Sequence, residues 1–282
     1  MSAAGALVLI ATPIGNLGDA SSRMVAALAD LDVLCCEDTR RTRALLSALG
    51  VRSGGRLVSL HSRNEEARIG SVLRWLTEGK SVGVVSDAGT PTLSDPGSRL
   101  VSAAADAGFT VTSVPGASAL LVALSVSGLD TSSFCMEGFL ARKGSQRGRQ
   151  LESIKESERT TVIFESPARL HRLLADLAER CAQRRIAICR EMTKLHEEIW
   201  RGTVAEALEH FAQREVLGEI VVVVGGSERQ DGFEEGAVSL ALRDRLAEGD
   251  SPSRAAQTVS QALAVPRRRV YELAITLSKG AS

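Results

Sequence analysis

Aromatic side chains are scarce: phenylalanine, tyrosine and tryptophan make up 3% of the 282 residues. That argues against an RNA reader built from a row of stacking platforms. Neither sign of charge is in excess, because 34 lysines and arginines meet 34 aspartates and glutamates. A case for nucleic acid therefore has to rest on local patches. The five cysteines (Cys35, Cys36, Cys135, Cys181 and Cys189) are odd in number and scattered, forming neither a disulfide framework nor a zinc spacing. They fit a reducing cytoplasm. The apolar run near the N-terminus is too short to span a membrane and no charged leader precedes it. A soluble cytoplasmic protein with no membrane association is expected. Neither the dinucleotide GxGxxG nor a Walker loop occurs, and no Ser/His/Asp, Cys/His or metal-ligand arrangement is found.

What is present is a repeated strand-loop-helix pattern in a chain that is 44% apolar. Strands are expected at Leu7–Ala11, Asp32–Cys36, Arg56–Leu60, Val82–Val85 and Thr110–Val114. Each runs into a loop rich in small or polar residues: Thr12 to Asp19, Glu37 to Thr42, His61 to Glu65, Asp87 to Gly97, and Pro115 to Ser118. The pattern predicts a mostly parallel sheet with right-handed crossovers. Ligands of such sheets bind at the carboxyl ends of the strands. The loop Asp87-Ala88-Gly89-Thr90-Pro91 stands out, with a carboxylate at the strand end and a glycine that lets backbone approach a ligand. Its plain alternative is a tight connection with Asp95 or Ser98 capping the next helix. Glu37 and Asp38 are likewise open to two uses, as a favourable helix start or as a polar site.

Composition changes near residues 128–133, and a second α/β unit begins at Phe134. Its first loop, Leu140 to Arg149, carries four basic residues (Arg142, Lys143, Arg147, Arg149) and no acid. Such a run is a solvated face or a set of phosphate contacts. Further strands are expected at Thr160–Phe164, Arg185–Cys189 and Ile220–Val224, with Ser166-Pro167 starting a helix. The stretch 225–236 reads as a linker. Beyond it, helical segments near 237–247, 253–263 and 267–278 resemble a small helix-turn-helix whose last helix is basic. The expected organisation is residues 1–128, 129–227 and 237–282.

The ordered set TPIGNLGD, EDTRRT, SDAGTPTLSDPG, PGASA, EGFLARK, FESPARL, REMTKLHEE and GEIVVVV resembles the tetrapyrrole-methylase-like superfamily of S-adenosylmethionine methyltransferases. Within it the set is most similar to the family of 16S rRNA ribose 2′-O-methyltransferases. The match departs at Ala141, at Ala168, and around His61 to Glu65. The resemblance implies two α/β domains of the tetrapyrrole-methylase type with the cofactor cleft between them, plus a small C-terminal helical, RNA-binding domain. It also implies a homodimer, S-adenosylmethionine as cofactor, no metal, and 16S rRNA of the small ribosomal subunit as substrate, at a cytidine of the decoding region. Carried over by motif, the cofactor would meet Pro13, Asp87, Ala88, Gly89, Thr90, Ser118 and Ala119 in the first half. In the second half it would meet Phe139, Leu140, Glu219 and Ile220. Glu37, Asp38, Glu165, Glu191 and Lys194 stand near strand ends as candidates to take or orient the proton of the accepting hydroxyl. Lys194 would need burial to depress its pKa. Arg40, Arg142, Lys143, Arg147, Arg190, Arg267, Arg268 and Arg269 are the expected RNA contacts. The rival expectations are a tetrapyrrole methyltransferase using the same loops and a non-catalytic, cofactor-sensing helix-turn-helix protein.

Overall fold

The computed structural model of the chain describes residues 5–52, 55–227, 235–263, 265 and 267–279. They fall into two compact units, Met1–Gly226 and Ser227–Ser282.

The first unit starts with five parallel strands: β1 (Ala6–Ile10), β2 (Val33–Cys36), β3 (Arg56–Ser59), β4 (Val82–Val85) and β5 (Thr110–Val114). Their order is β3-β2-β4-β1-β5. Every residue of β2 and β4 is buried, as a parallel sheet covered on both faces requires. Alternation splits the strand residues between two cores. Cys35 packs with Val72, Leu76 and Leu100 from α3 (Glu65–Thr77) and α4 (Ser98–Asp106). Its neighbour Cys36 packs with Met24, Leu28 and Leu46 from α1 (Ser22–Asp30) and α2 (Thr39–Ala48). Burial pushes the Cys35 thiol up to about 12, which makes it a packing residue and not a nucleophile.

The second sheet is mixed. Strands β6 (Phe134–Phe139), β7 (Thr160–Glu165), β8 (Arg185–Arg190), β9 (Glu198–Thr203) and β10 (Ile220–Val224) run in the order β6-β7-β10-β8-β9. Only β6 and β7 pair in parallel. Strand β9 was not expected from the sequence. It pairs with β8 as a hairpin, and REMTKLHEE spans the turn between them. One face of the sheet is covered by α6 (Gly144–Glu156), α7 (Pro167–Cys181) and α8 (Val204–Phe211). The other face is covered by α5 (Ala119–Ser127), whose Leu120, Ala123 and Leu124 pack on Val162, Ala187 and Val223. Helix α5 leaves the first sheet in sequence yet buries its side chains on the second. The expected boundary at 128/129 therefore marks a change of sheet inside one compact unit.

Helix starts show which local readings hold. Ser21 caps α1 by accepting from the Met24 N–H at 3.1 Å. Neither Asp95 nor Ser98 caps α4. The cap comes from another helix: Glu65 Oε1 accepts from the N–H groups of Gly97, Arg99 and Leu100 at 3.1, 2.9 and 3.2 Å. Glu65 is buried, so its charge is held by these donors and by the positive end of α4.

The second unit comprises α9 (Glu235–Ala247), α10 (Pro252–Leu263) and α11 (Arg267–Lys279) around Val238, Leu242, Ala256, Val259 and Val270. Among the described residues no helix is long and apolar enough to cross a membrane.

Replacing Glu65 with alanine would leave three N–H groups of a helix start without their acceptor. Glu65→Ala is expected to destabilise the protein by about 1–3 kcal/mol, read as a lower denaturant midpoint at unchanged slope.

Candidate active site

In the first sheet β4, β1 and β5 are neighbours, so the loops at their carboxyl ends lie side by side. Thr12 and Gly89 exchange two backbone hydrogen bonds, Thr12 N–H to Gly89 O at 2.9 Å and Gly89 N–H to Thr12 O at 3.0 Å. Gly89 sits at φ +80°, and a Cβ there would stand 3.2 Å from Ile14 Cγ2. Both conformation and space call for glycine. Ser86 Oγ donates to Gly89 O at 3.2 Å, and Thr90 Oγ1 donates to Ala117 O at 3.1 Å. Three loops are thereby joined into one rim.

This rim faces the ends of β6, β7 and β10 across a cleft of about 370 Å³, within the range of small-molecule sites. From the first half Ala88, Gly89, Thr90, Ser118 and Ala119 line it, and from the second Phe139, Glu219 and Ile220. Three expected cofactor contacts do not. Asp87 turns towards the end of β2, accepting from the Asp38 N–H at 3.1 Å and pairing with Arg41 at 3.3 Å. Leu140 is buried in the core of the second sheet. Pro13 yields its place to Ile14. Sequence reasoning missed Asp95, Phe164 and Met192 as lining residues. The signal for Asp95 is its place in the second Gly/Pro break, where a helix-cap role is the plain reading.

The proton-transfer candidates separate sharply. Asp38 is the cap of α2, accepting from the Arg40 N–H at 2.8 Å and pairing with the Arg40 guanidinium at 2.9 Å. These bonds hold its pKa at about 2, which corrects any reading of it as a base. Lys194 is no base either. Burial works against its charge, but ion pairs to Glu191 at 2.8 Å and Glu219 at 3.2 Å outweigh that and raise its pKa. Glu191 is committed to Lys194 and to the Glu219 N–H, and its pKa is lowered. Glu37 is raised, first by burial and then by Asp87, but does not line the cleft. Glu165 does line it, buried at 2% exposure.

The hairpin carrying Glu191 and Lys194 is strained, with Glu191 at φ +50° and Thr193 at φ +67°. It closes over two glycines. A Cβ on Gly15 would stand 2.4 Å from Lys194 Cγ, and one on Gly218 would stand 2.4 Å from the Glu191 carboxyl carbon.

Of the expected RNA contacts, Arg142 and Lys143 are exposed. Arg40 is exposed but paired with Asp38. Arg190 is engaged by Glu198 at 3.0 Å and by Leu217 O at 3.3 Å. Arg147 is a correction: it is 4% exposed, bound to Asp176 through Nε at 2.8 Å and to Ala141 O at 3.1 Å. It pins α6 to α7 and cannot reach a phosphate without breaking that pair. Arg267 is exposed and donates to Ser253 Oγ at 3.3 Å. The side chains of Arg268 and Arg269 lie outside the described residues.

Charge defines what the cleft accepts. Its ionisable lining residues are Asp95, Glu165 and Glu219, with no lysine, arginine or histidine among the described lining residues. Asp95 is pushed up to about 6, first by burial and then by the Glu37 and Asp87 carboxylates. A ligand carrying positive charge and an apolar ring system fits this set, and a sulfonium nucleoside has both. Among the described residues no cluster suits a metal ion.

A parallel sheet is followed by a mixed one, with a small-residue, carboxylate-lined cleft at their strand ends. The family model for Tetrapyrrole (Corrin/Porphyrin) Methylases matches residues 6–208. Among solved structures, uroporphyrin-III C-methyltransferase from Thermus thermophilus, complexed with S-adenosylhomocysteine, shares the fold. Its TM-score is 0.56 at 18% identity, covering 78% of this chain and 97% of that one. Ribosomal RNA small subunit methyltransferase I of Mycobacterium tuberculosis is 52% identical over 224 residues, 79% of this chain and 78% of the relative. Its namesake in Synechocystis is 40% identical over 276 residues, 97% of this chain and 98% of the relative. The chain belongs to the ribosomal RNA small subunit methyltransferase I family of tetrapyrrole-type methylases.

Because its folded pKa lies above that of an exposed aspartate, an ionised Asp95 costs stability at neutral pH, and the cost vanishes as pH falls. Asp95→Asn is therefore expected to raise the melting midpoint at pH 8. The gain should shrink as pH drops through about 6 towards the ordinary carboxylate range, as a series of thermal melts would show.

Proposed function

We propose that this chain transfers the methyl group of S-adenosylmethionine to a ribose 2′-oxygen of 16S rRNA, at a cytidine of the decoding region, in the cytoplasm. The observation that carries the reading is the 40% identity with a ribosomal RNA small subunit methyltransferase I over 97% of this chain, helical unit included. The acidic, small-residue cleft supports the cofactor side of it.

S-adenosylmethionine supplies an electrophilic methyl on a sulfonium. Ala88, Gly89, Thr90, Ser118 and Ala119 would hold it through close backbone approach, with Phe139 and Ile220 against its apolar part. The acidic lining, Asp95 above all, favours its positive charge. The chain's main contribution is alignment of the hydroxyl with the methyl carbon, an effect worth up to about 7–11 kcal/mol. The rigid rim joined through Thr12 and Gly89 is suited to that. Exposed Arg142 and Lys143, with Arg40 and the basic start of α11, would hold phosphates outside the cleft. We extend the proposal to a homodimer, for which the exposed Leu17 and Leu121 offer apolar surface.

Incubation with tritiated-methyl S-adenosylmethionine and unmethylated small ribosomal subunits, followed by nuclease mapping, tests the reading. Label on one ribose is expected. Label on a tetrapyrrole and none on RNA would overturn it, as would cofactor binding with no transfer at all. In a salt titration, RNA affinity is expected to fall steeply, and Arg142→Ala with Lys143→Ala should lower the slope by about one per lost phosphate contact. Sedimentation velocity of the free protein decides the dimer.

A further inference from the structure

Glu165 closes β7, and its side chain is fully buried in the wall of the cleft. One carboxylate oxygen is fully used. Oε1 accepts from the Ser166 N–H at 2.8 Å and forms an ion pair with Arg169 Nε at 3.3 Å, and Arg169 is itself fixed by donating to Leu140 O at 2.8 Å. The other oxygen, Oε2, is buried and has no hydrogen-bond partner among the described residues. A buried carboxylate oxygen left in this way is costly, and such atoms are ordinarily satisfied. Glu165 lines the cleft, so a ligand seated there stands beside this unsatisfied acceptor.

The surroundings say what kind of donor. Arg169 already neutralises part of the Glu165 charge, so a second cation at Oε2 gains little, whereas a neutral hydroxyl satisfies the oxygen without adding charge. The strand beside it supplies an aromatic face. Phe139 of β6 is 58% exposed at the cleft and meets Phe164 edge-on, with ring centroids 5.8 Å apart. An exposed ring is a platform for a base, and a carboxylate beside it is a common acceptor for the attached sugar. We infer that Glu165 and Phe139 form a nucleoside subsite, in which Glu165 Oε2 accepts a hydrogen bond from a ribose hydroxyl and Phe139 supports the base. The inference rests on the proposed function in that both the cofactor and the acceptor RNA are nucleosides. Either ribose has the required chemistry, and the experiment separates them.

Glu165→Gln keeps an oxygen for Ser166 and Arg169 and places an amide N–H₂, a donor, where the free acceptor stood. In the first arm, calorimetry measures S-adenosylhomocysteine and its 2′-deoxy and 3′-deoxy ribose analogues on wild type and variant. A loss of about tenfold or more on the variant, matched by a wild-type loss for one deoxy analogue that the variant does not show, assigns Glu165 to the cofactor's ribose. In the second arm, single-turnover methyl transfer to unmethylated small subunits is followed at saturating cofactor. A tenfold or greater fall with S-adenosylhomocysteine affinity intact assigns Glu165 to the acceptor's ribose. Changes below about twofold in both arms overturn the subsite. Should Glu165→Gln not fold, as circular dichroism would reveal, Glu165→Asp carries the same two arms, since it withdraws the oxygen while retaining the charge. A wild type that binds S-adenosylhomocysteine but labels no RNA overturns the rRNA reading alone, and the first arm still decides the subsite.

Discussion

The pair of backbone hydrogen bonds between Thr12 and Gly89 is the contact on which the active-site half of the molecule depends. Without it the loops after β1 and β4 would be independent surface segments. With it they form a short piece of antiparallel ladder beyond the sheet proper. Thr90 extends the linkage to the loop after β5. A rim built of backbone has little side-chain freedom to lose when a ligand arrives, which is how a site preorganises without charged clamps.

The second half is brought to this rim by packing. Helix α5 belongs to the first sheet by connectivity and to the second by burial, so the strand ends of both sheets are held by one apolar core. The strained hairpin over Gly15 and Gly218 adds a polar fastening at the other edge, with Lys194 held between Glu191 and Glu219. One lysine offsets only part of the charge of the two glutamates, so the fastening adds to the acidic sign that Asp95 gives the cleft.

Much of this was legible in the sequence because the signals were local. Apolar runs marked eight of the ten strands and the start of the second unit at β6, and the ordered motifs gave the family. What escaped was set by distance in the chain. Strand β9 (EIWRGT) mixes charge with aromatic and β-branched residues and becomes a strand only by pairing with β8. Glu65 caps a helix 32 residues further on, which no window around α4 contains. Arg147 sits in a basic run that reads as solvated until α7 brings Asp176 beneath it. In the site, the glycine loop was readable because its backbone needs glycine. The division of labour among Glu37, Asp38, Glu165, Glu191 and Lys194 was not, because it depends on which partner each carboxylate or ammonium finds in space.

Strand β10 is the last of the first unit to be synthesised and the middle one of its sheet, inserted between β7 and β8. A nascent chain can assemble the entire parallel sheet and still lack the floor of its cleft. Until Ile220–Val224 leave the ribosome, β7 and β8 have open inner edges and nothing places Glu219 and Ile220 opposite the glycine loop. Ligand-binding ability thus arrives all at once and late in translation, as a check that the whole unit, and not just its first half, has been made.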